Sequence, residues 1–185
     1  PKYIPDGLTD MGSDDELDPK MRGREKIRVR KHEIFQQSRR LLQEIFSMDI
    51  LRFNLDRSED LGQLKRHIIE KIARFVRAEM PYDYRNFGRT PDPGRSIGVD
   101  EYFQQHLAVC RHHALYTQVL MQMFGLTCRV LKCNLGNVGG FAGGHACNLV
   151  RINHQWHLLD VTNPDMSDGK EEVFMKPIPE DDIDL

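Results

Sequence analysis

Three residues far apart in the chain, Cys110, His145 and Asp160, have the types and settings that a thiol nucleophile needs. A thiol attacks carbonyls usefully when its pKa is lowered, and a helix N-terminus lowers it because unpaired backbone N–H groups and the helix dipole favour the thiolate. Cys110 stands at such a place: it opens a run with Ala114, Leu115, Val119, Leu120, Met123 and Phe124 that reads as a buried helix, with Gly125 as its stop. A neighbouring imidazole would hold the thiol proton, and a carboxylate behind it would fix the tautomer and steady the positive charge. His145 to Ile152 alternates as a strand, Asn153-His154-Gln155 makes a turn, and Trp156 to Thr162 returns as the next strand. Counted from an apex near His154, the two sites are offset by about three residues, which sets them diagonally across the pair unless a bulge or a longer turn shifts the register.

Other chemistry is weaker. His112 and His113 are rival bases, and position 113 lies nearly above 110 on a helix, but a surface or packing role is the simpler reading of both. A zinc site could be drawn from Cys110, His112, Cys128, Cys133, His145 and Cys147, yet no Cys-x2-Cys or His-x3-His clasp is present, so no metal is expected. The glycine-rich stretch from Gly136 to Gly144 leads into a strand and lacks the Lys-Ser/Thr of a phosphate loop, so no nucleotide or other cofactor is expected. That stretch could be a flap beside His145 with Phe141 as an apolar contact, or an ordinary long hairpin connection.

The elements that must position these groups fit in one core, since 185 residues leave room for one domain with an appended helical segment. Residues 1–19 mix prolines, glycines and aspartates and read as a flexible acidic leader. Residues 20–80 read as an N-terminal helical segment packed on the core. Its basic part, 20–40, could meet an acidic partner, although a charge run is usually a solvated helix face. Within 33–46, Ile34, Leu41 and Ile45 have amphipathic spacing, and a longer helix is predicted from about Asp60 to Met80, stopped by Pro81. Residues 81–176 form the expected core, opening on a long loop over 81–98 with no regular element, and 177–185 read as an acidic tail.

A net charge of -2 gives no bulk attraction to nucleic acid. The sequence holds no run of about 18 apolar residues, the length that could span a bilayer. Four cysteines without a dense framework point to a reducing, cytoplasmic setting, and a chain that opens on Pro1 is expected to be an excised domain of a larger protein or a processed fragment.

Four segments together resemble the transglutaminase-like superfamily of papain-like Cys-His-Asp thiol enzymes: Val109-Cys110-Arg111-His112-His113-Ala114, Gly125-Leu126-Thr127-Cys128-Arg129-Val130, Gly144-His145-Ala146-Cys147-Asn148-Leu149-Val150, and Trp156-His157-Leu158-Leu159-Asp160-Val161-Thr162. The similarity covers roughly 95 to 165, preceded by helices and a tyrosine-containing stretch, Pro81-Tyr82-Asp83-Tyr84. It departs from the common pattern at Cys147, often aromatic, and at Val109, often glycine.

The resemblance implies an α+β fold in which a central helix carrying the cysteine packs on an antiparallel sheet carrying the histidine and aspartate. It assigns Cys110 as nucleophile, His145 as general base and acid, and Asp160 as the residue that orients it. In related enzymes the cysteine's own N–H works with a second oxyanion donor, for which Gln104 or Gln105 is considered. Phe141, Asn148 and Trp156 are taken as substrate contacts. The implied activity is acyl transfer from a peptide bond or glutamine carboxamide of a protein or peptide through a thioester. Hydrolysis or deamidation is preferred to transamidation because no calcium-site cluster is evident in the sequence. The alternative is a catalytically inactive module of this family that binds other proteins.

Overall fold

A helix that is apolar around most of its circumference has to be enclosed on several sides. In α5, Cys110–Met123, every residue from His112 to Met121 is buried. The structure, a computed structural model, describes residues 7–10, 26–47, 53–54, 56–83, 97–106, 108–134, 144–165 and 172–179. An antiparallel sheet supplies one side of the enclosure, in the order β4 (Cys128–Asn134), β5 (Gly144–Ile152), β6 (Gln155–Asp165) and β7 (Glu172–Pro177), and the first three strands touch α5. The long helix α3 (Ser58–Glu79) packs on α5 and reaches β5, β6 and β7. The fold is α+β: a central helix on an antiparallel sheet with N-terminal helices against it.

The stripe Leu64, Ile69, Ile72, Ala73 and Val76 is the buried face of α3, with Glu59 and Asp60 in its first turn and Arg77 in its last, each the favourable sign for the helix dipole. Pro81 follows buried Met80 and cannot continue the helix. At the other end, Asn153, with φ 55, turns β5 into β6 and gives its side-chain N–H to the Ser58 carbonyl at 2.9 Å, so the hairpin apex is seated on the start of α3.

The N-terminal segment differs from its sequence reading. Gly7–Asp10, inside the stretch expected to be a flexible leader, is strand β1 and pairs antiparallel with β2, Lys26–Val29. Those four residues were expected to be helical, but Ile27 and Val29 are buried on either side of exposed Arg28, which is the period of a strand. β2 in turn pairs in parallel with β3, Ile97–Gly98, and Tyr82 bridges to Ala108, so 81–98 contains regular pairing after all.

The helix expected over 33–46 is two, α1 (Lys31–Gln37) and α2 (Arg39–Phe46). They divide at Ser38, whose hydroxyl donates to the Ile34 carbonyl at 2.7 Å and competes with the backbone ladder. Strand β7 had no counterpart in the sequence reading; it buries no residue fully and has only a weak alternation to announce it. Tyr84 and the stretch 136–143 lie outside the described residues. Among those residues, no helix is long and apolar enough to cross a membrane.

One polar chain ties the N-terminal segment to α5. Arg30, at the end of β2, bonds both carboxylate oxygens of Asp100 in α4 (Val99–Gln104). Gln37 of α1 donates to the Asp100 carbonyl at 2.8 Å and accepts the Tyr116 hydroxyl of α5 at 3.2 Å. A Cβ on Gly98 would stand 2.6 Å from the Asp100 carboxylate, so the chain needs glycine there for the approach. Asp100 is 1% exposed and Arg30 is 41% exposed on its side chain, so removing the guanidinium leaves a buried carboxylate unpaired. Arg30→Ala should therefore destabilise the fold by about 2 kcal/mol, less than a fully buried pair because the arginine is open to water. Urea unfolding checks this; a loss within about 0.5 kcal/mol would show that the pair does not anchor the segment.

Candidate active site

Cys110 begins α5, and Val109 before it is extended. The Val109 N–H donates to His112 Nδ1 at 3.2 Å, and the His112 ring stacks on Tyr102 with centroids 3.7 Å apart. His112 therefore closes the first turn of the helix and fixes where the thiol stands. The rival base His113 is buried and fully used: its Nε2–H donates to the Met80 carbonyl, and its Nδ1 accepts the Thr162 hydroxyl at 3.0 Å. Burial lowers its pKa to about 4, so it is neutral at pH 7 and holds no lone pair free for the thiol.

His145 enters from β5, where it pairs with Cys133 of β4. Pairing of β5 with β6 runs only from Ile152↔Gln155 to Asn148↔Leu159, while pairing of β5 with β4 continues to Gly144. The turn is two residues long, Asn153 and His154, one shorter than expected. Extending its register would put His145 two positions from a direct partnership with Asp160, so the two side chains share a face. That is closer than the odd offset that sequence counting gave. Across this opening His145 Nε2 donates to Asp160 Oδ2 at 2.7 Å. Its other nitrogen, Nδ1, is left for Cys110, whose thiol is near enough for the ring and the sulfur to shift each other's pKa.

The structure thus brings Cys110, His145 and Asp160 into one contiguous chain of sulfur, imidazole and carboxylate. Burial opposes charge on all three, yet their mutual contacts outweigh it. The thiol is held below its ordinary pKa by the hydrogen bond from His145, the Ala146 backbone N–H and the positive charges of His145 and Arg111. Burial disfavours the imidazolium, but the hydrogen bonds to Asp160 and Cys110 raise His145 to about 10. Asp160, despite burial, is held below the usual carboxylate range by His145 and Asn163. These directions favour the proton on the imidazole over the thiol, the sense that a thiolate–imidazolium pair requires.

Sequence reasoning missed several supporting groups. Asp160 Oδ1 accepts the backbone N–H groups of Thr162 and Asn163 at 3.0 and 3.1 Å, and the Asn163 amide donates to Oδ2 at 3.0 Å. The Asp-x-x-Asn spacing was the available signal, since aspartate commonly folds back on N–H groups two and three residues on. Tyr82 is also near: it bridges to Ala108, two residues before Cys110, and the Asp83 backbone N–H donates to the Ala108 carbonyl at 2.8 Å.

The remaining assignments change. Gln104 and Gln105 are exposed at the end of α4, and neither hydrogen-bonds to a triad residue. Asn148, expected against substrate, is fully buried and spends its side-chain N–H groups on the Ala114 carbonyl at 2.9 Å and the Cys128 sulfur at 3.5 Å; it joins β5 to α5. Trp156, likewise expected against substrate, is buried under the guanidiniums of Arg129 and Arg151 beside the β5–β6 turn. Four residues of strand, about 13 Å, separate it from Asp160. Phe141 lies outside the described residues.

Among solved structures, a candidate cysteine protease from Cytophaga hutchinsonii is similar at 16% identity and a TM-score of 0.43, over 64% of this chain and 42% of that one. A TGase is similar at 16% identity and a TM-score of 0.44, over 86% of this chain and 36% of that one. The chain thus spans less than half the length of each. No curated protein matches. Residues 59–161, more than half of the chain, match the transglutaminase-like superfamily, in general a group of cysteine-dependent enzymes, and the match holds all three members of the Cys110–His145–Asp160 chain. This chain belongs to the transglutaminase-like superfamily.

Proposed function

We propose that the protein is a cysteine-nucleophile acyl-transfer enzyme that acts on an amide, either a peptide bond or a glutamine carboxamide, and passes the acyl group to water. The observation that carries this reading is the hydrogen bond of His145 Nε2 to Asp160, which turns the other ring nitrogen to the Cys110 thiol. The thiolate attacks the carbonyl carbon, and the oxyanion forms beside the start of α5. The imidazolium then gives its proton to the departing nitrogen, the C–N bond breaks, and ammonia or an amine leaves a thioester on Cys110. His145, now neutral, takes a proton from water as the water attacks the thioester; hydrolysis frees the acid and restores the pair. Water is the acceptor that asks nothing more of the chain, whereas a second amine substrate would need a surface of its own.

Thiol reactivity tests the first step. Iodoacetamide at pH 6 should alkylate Cys110 at least about ten-fold faster than the other cysteines, because ordinary thiols are almost wholly protonated there and Cys128 is pushed up further by burial. His145→Ala should remove that preference. Equally slow reaction at all four cysteines would leave only a protein-binding module of this family.

The role of the carboxylate is read from pH. Asp160→Asn removes the charge that favours imidazolium, so the acid limb of Cys110 alkylation should move to higher pH. Turnover should also fall by about 10²- to 10⁴-fold. An unchanged limb in the folded variant would contradict the orienting role. The reaction itself is tested on glutamine-containing peptides, with ammonia release, peptide cleavage and amine incorporation followed together. With no amine added, ammonia or new peptide ends are expected, lost in Cys110→Ala; ammonia released only when an amine is present and incorporated would overturn water as acceptor.

A further inference from the structure

The last turns of α3 and the facing parts of β6 and β7 line a solvent-open cavity of about 410 Å³. Its walls include Arg74 and Arg77 of α3, Tyr82, Thr162, Glu172 and Val173. The cavity adjoins the triad on two sides. Tyr82 bridges to Ala108, two residues before Cys110, and Thr162 gives its backbone N–H to Asp160 while its hydroxyl bonds His113. A group bound here would therefore lie near the triad.

We infer that this cavity is a subsite for a carboxylate of the substrate, close to the amide that Cys110 attacks. The inference deepens the acyl-transfer reading and rests on it. Arg74 and Arg77, one turn apart on α3, bring two guanidiniums to the lining, and among the described lining residues they outnumber the one carboxylate, Glu172. The two arginines repel each other, and Arg77 is further disfavoured as a cation by burial, with Asp160 as a partial counterweight. A carboxylate between the guanidiniums would offset that repulsion and could accept two N–H bonds from a planar fork. Val173 and the Tyr82 ring offer apolar surface to the methylenes that carry it. The volume is that of a site for a small group rather than for a folded partner.

Alkylating probes test this without a known substrate. N-bromoacetyl derivatives of glycine, β-alanine and 4-aminobutyrate, and of aspartate α-amide, place a carboxylate at graded distances from the carbon that Cys110 attacks; the matching carboxamides are the neutral controls. At one or more lengths the acid should alkylate Cys110 about ten-fold faster than its amide, relative to the same ratio for free cysteine. The aspartate reagent separates a side-chain carboxylate from a chain-terminal one. Arg74→Gln should bring the acid-to-amide ratio down to that of free cysteine, and Arg74→Lys should restore part of it. An activated Cys110 that shows no acid preference at any length, or a preference that survives in Arg74→Gln and in Arg77→Gln, overturns the subsite alone. If even the amides react with Cys110 no faster than with free cysteine, the acyl-transfer reading falls and the subsite with it.

Discussion

The charge of Asp160 is the constraint on which the site depends, and the molecule holds its own comparison. Burial alone raises a thiol and lowers an imidazole. Cys128 and His113 behave in that way: each is buried beside neutral hydrogen-bonding partners, and each is driven toward its uncharged form. Cys110 and His145 are also buried, yet they move in the opposite directions. The difference is a carboxylate that cannot readily be protonated, because two backbone N–H groups, the Asn163 amide and the imidazole all donate to it. Its fixed negative charge favours the imidazolium, and the imidazolium favours the thiolate, so one saturated carboxylate sets the protonation of the whole chain.

Regular sheet would not allow that saturation. In a continued β6 ladder the N–H groups of Thr162 and Asn163 would be directed across to a neighbouring strand. Here they turn to Asp160, and the register with β7 shifts between Asp160 and Asp165. On the other side β5 has stopped pairing with β6 beyond Asn148. The sheet gives up ladder bonds at this end and gains a carboxylate locked in orientation, which is a common setting for a bulge beside an active site. The continuing pairs with β4 keep His145 from swinging away as the strands part.

This division explains what could be read from the sequence. α3 was legible from its apolar stripe, α5 from a run apolar on most of its circumference and the β5–β6 hairpin from two strand-like runs, and Pro81, Gly125 and the Asn153 turn mark their ends. Cys110, His145 and Asp160 were legible as a set, although not the geometry that joins them, because one residue of turn length decides whether two strand positions share a face. Asn148 and Trp156 were misread for a different reason. A buried amide bridging two elements and an indole under two arginines are distinctive residues in a motif, but their chemistry is spent on packing. Among the described residues the short strands β1, β2 and β3 pair with one another, and four-residue and two-residue segments carry too little periodicity to announce partners so distant in sequence.

The extent of the family match raises a last structural point, since it begins at residue 59 while the site leans on residues before it. Tyr116 sits in the middle of the helix that carries Cys110, fully buried, and a buried hydroxyl without a partner is costly. Its partner is Gln37, which is also bonded to the Asp100 backbone, while Arg30 neutralises the Asp100 carboxylate. Ile34, Leu41 and Ile45 of α1 and α2 belong to the same apolar cluster as Leu115, Val119 and Leu120 of α5. Segment 26–46 therefore packs on the helix that carries Cys110, beside the sheet and α3. It is a wall of the core: without it the buried polar groups of α4 and α5 would lose their partners, and the position of the thiol against His145 would lose its support.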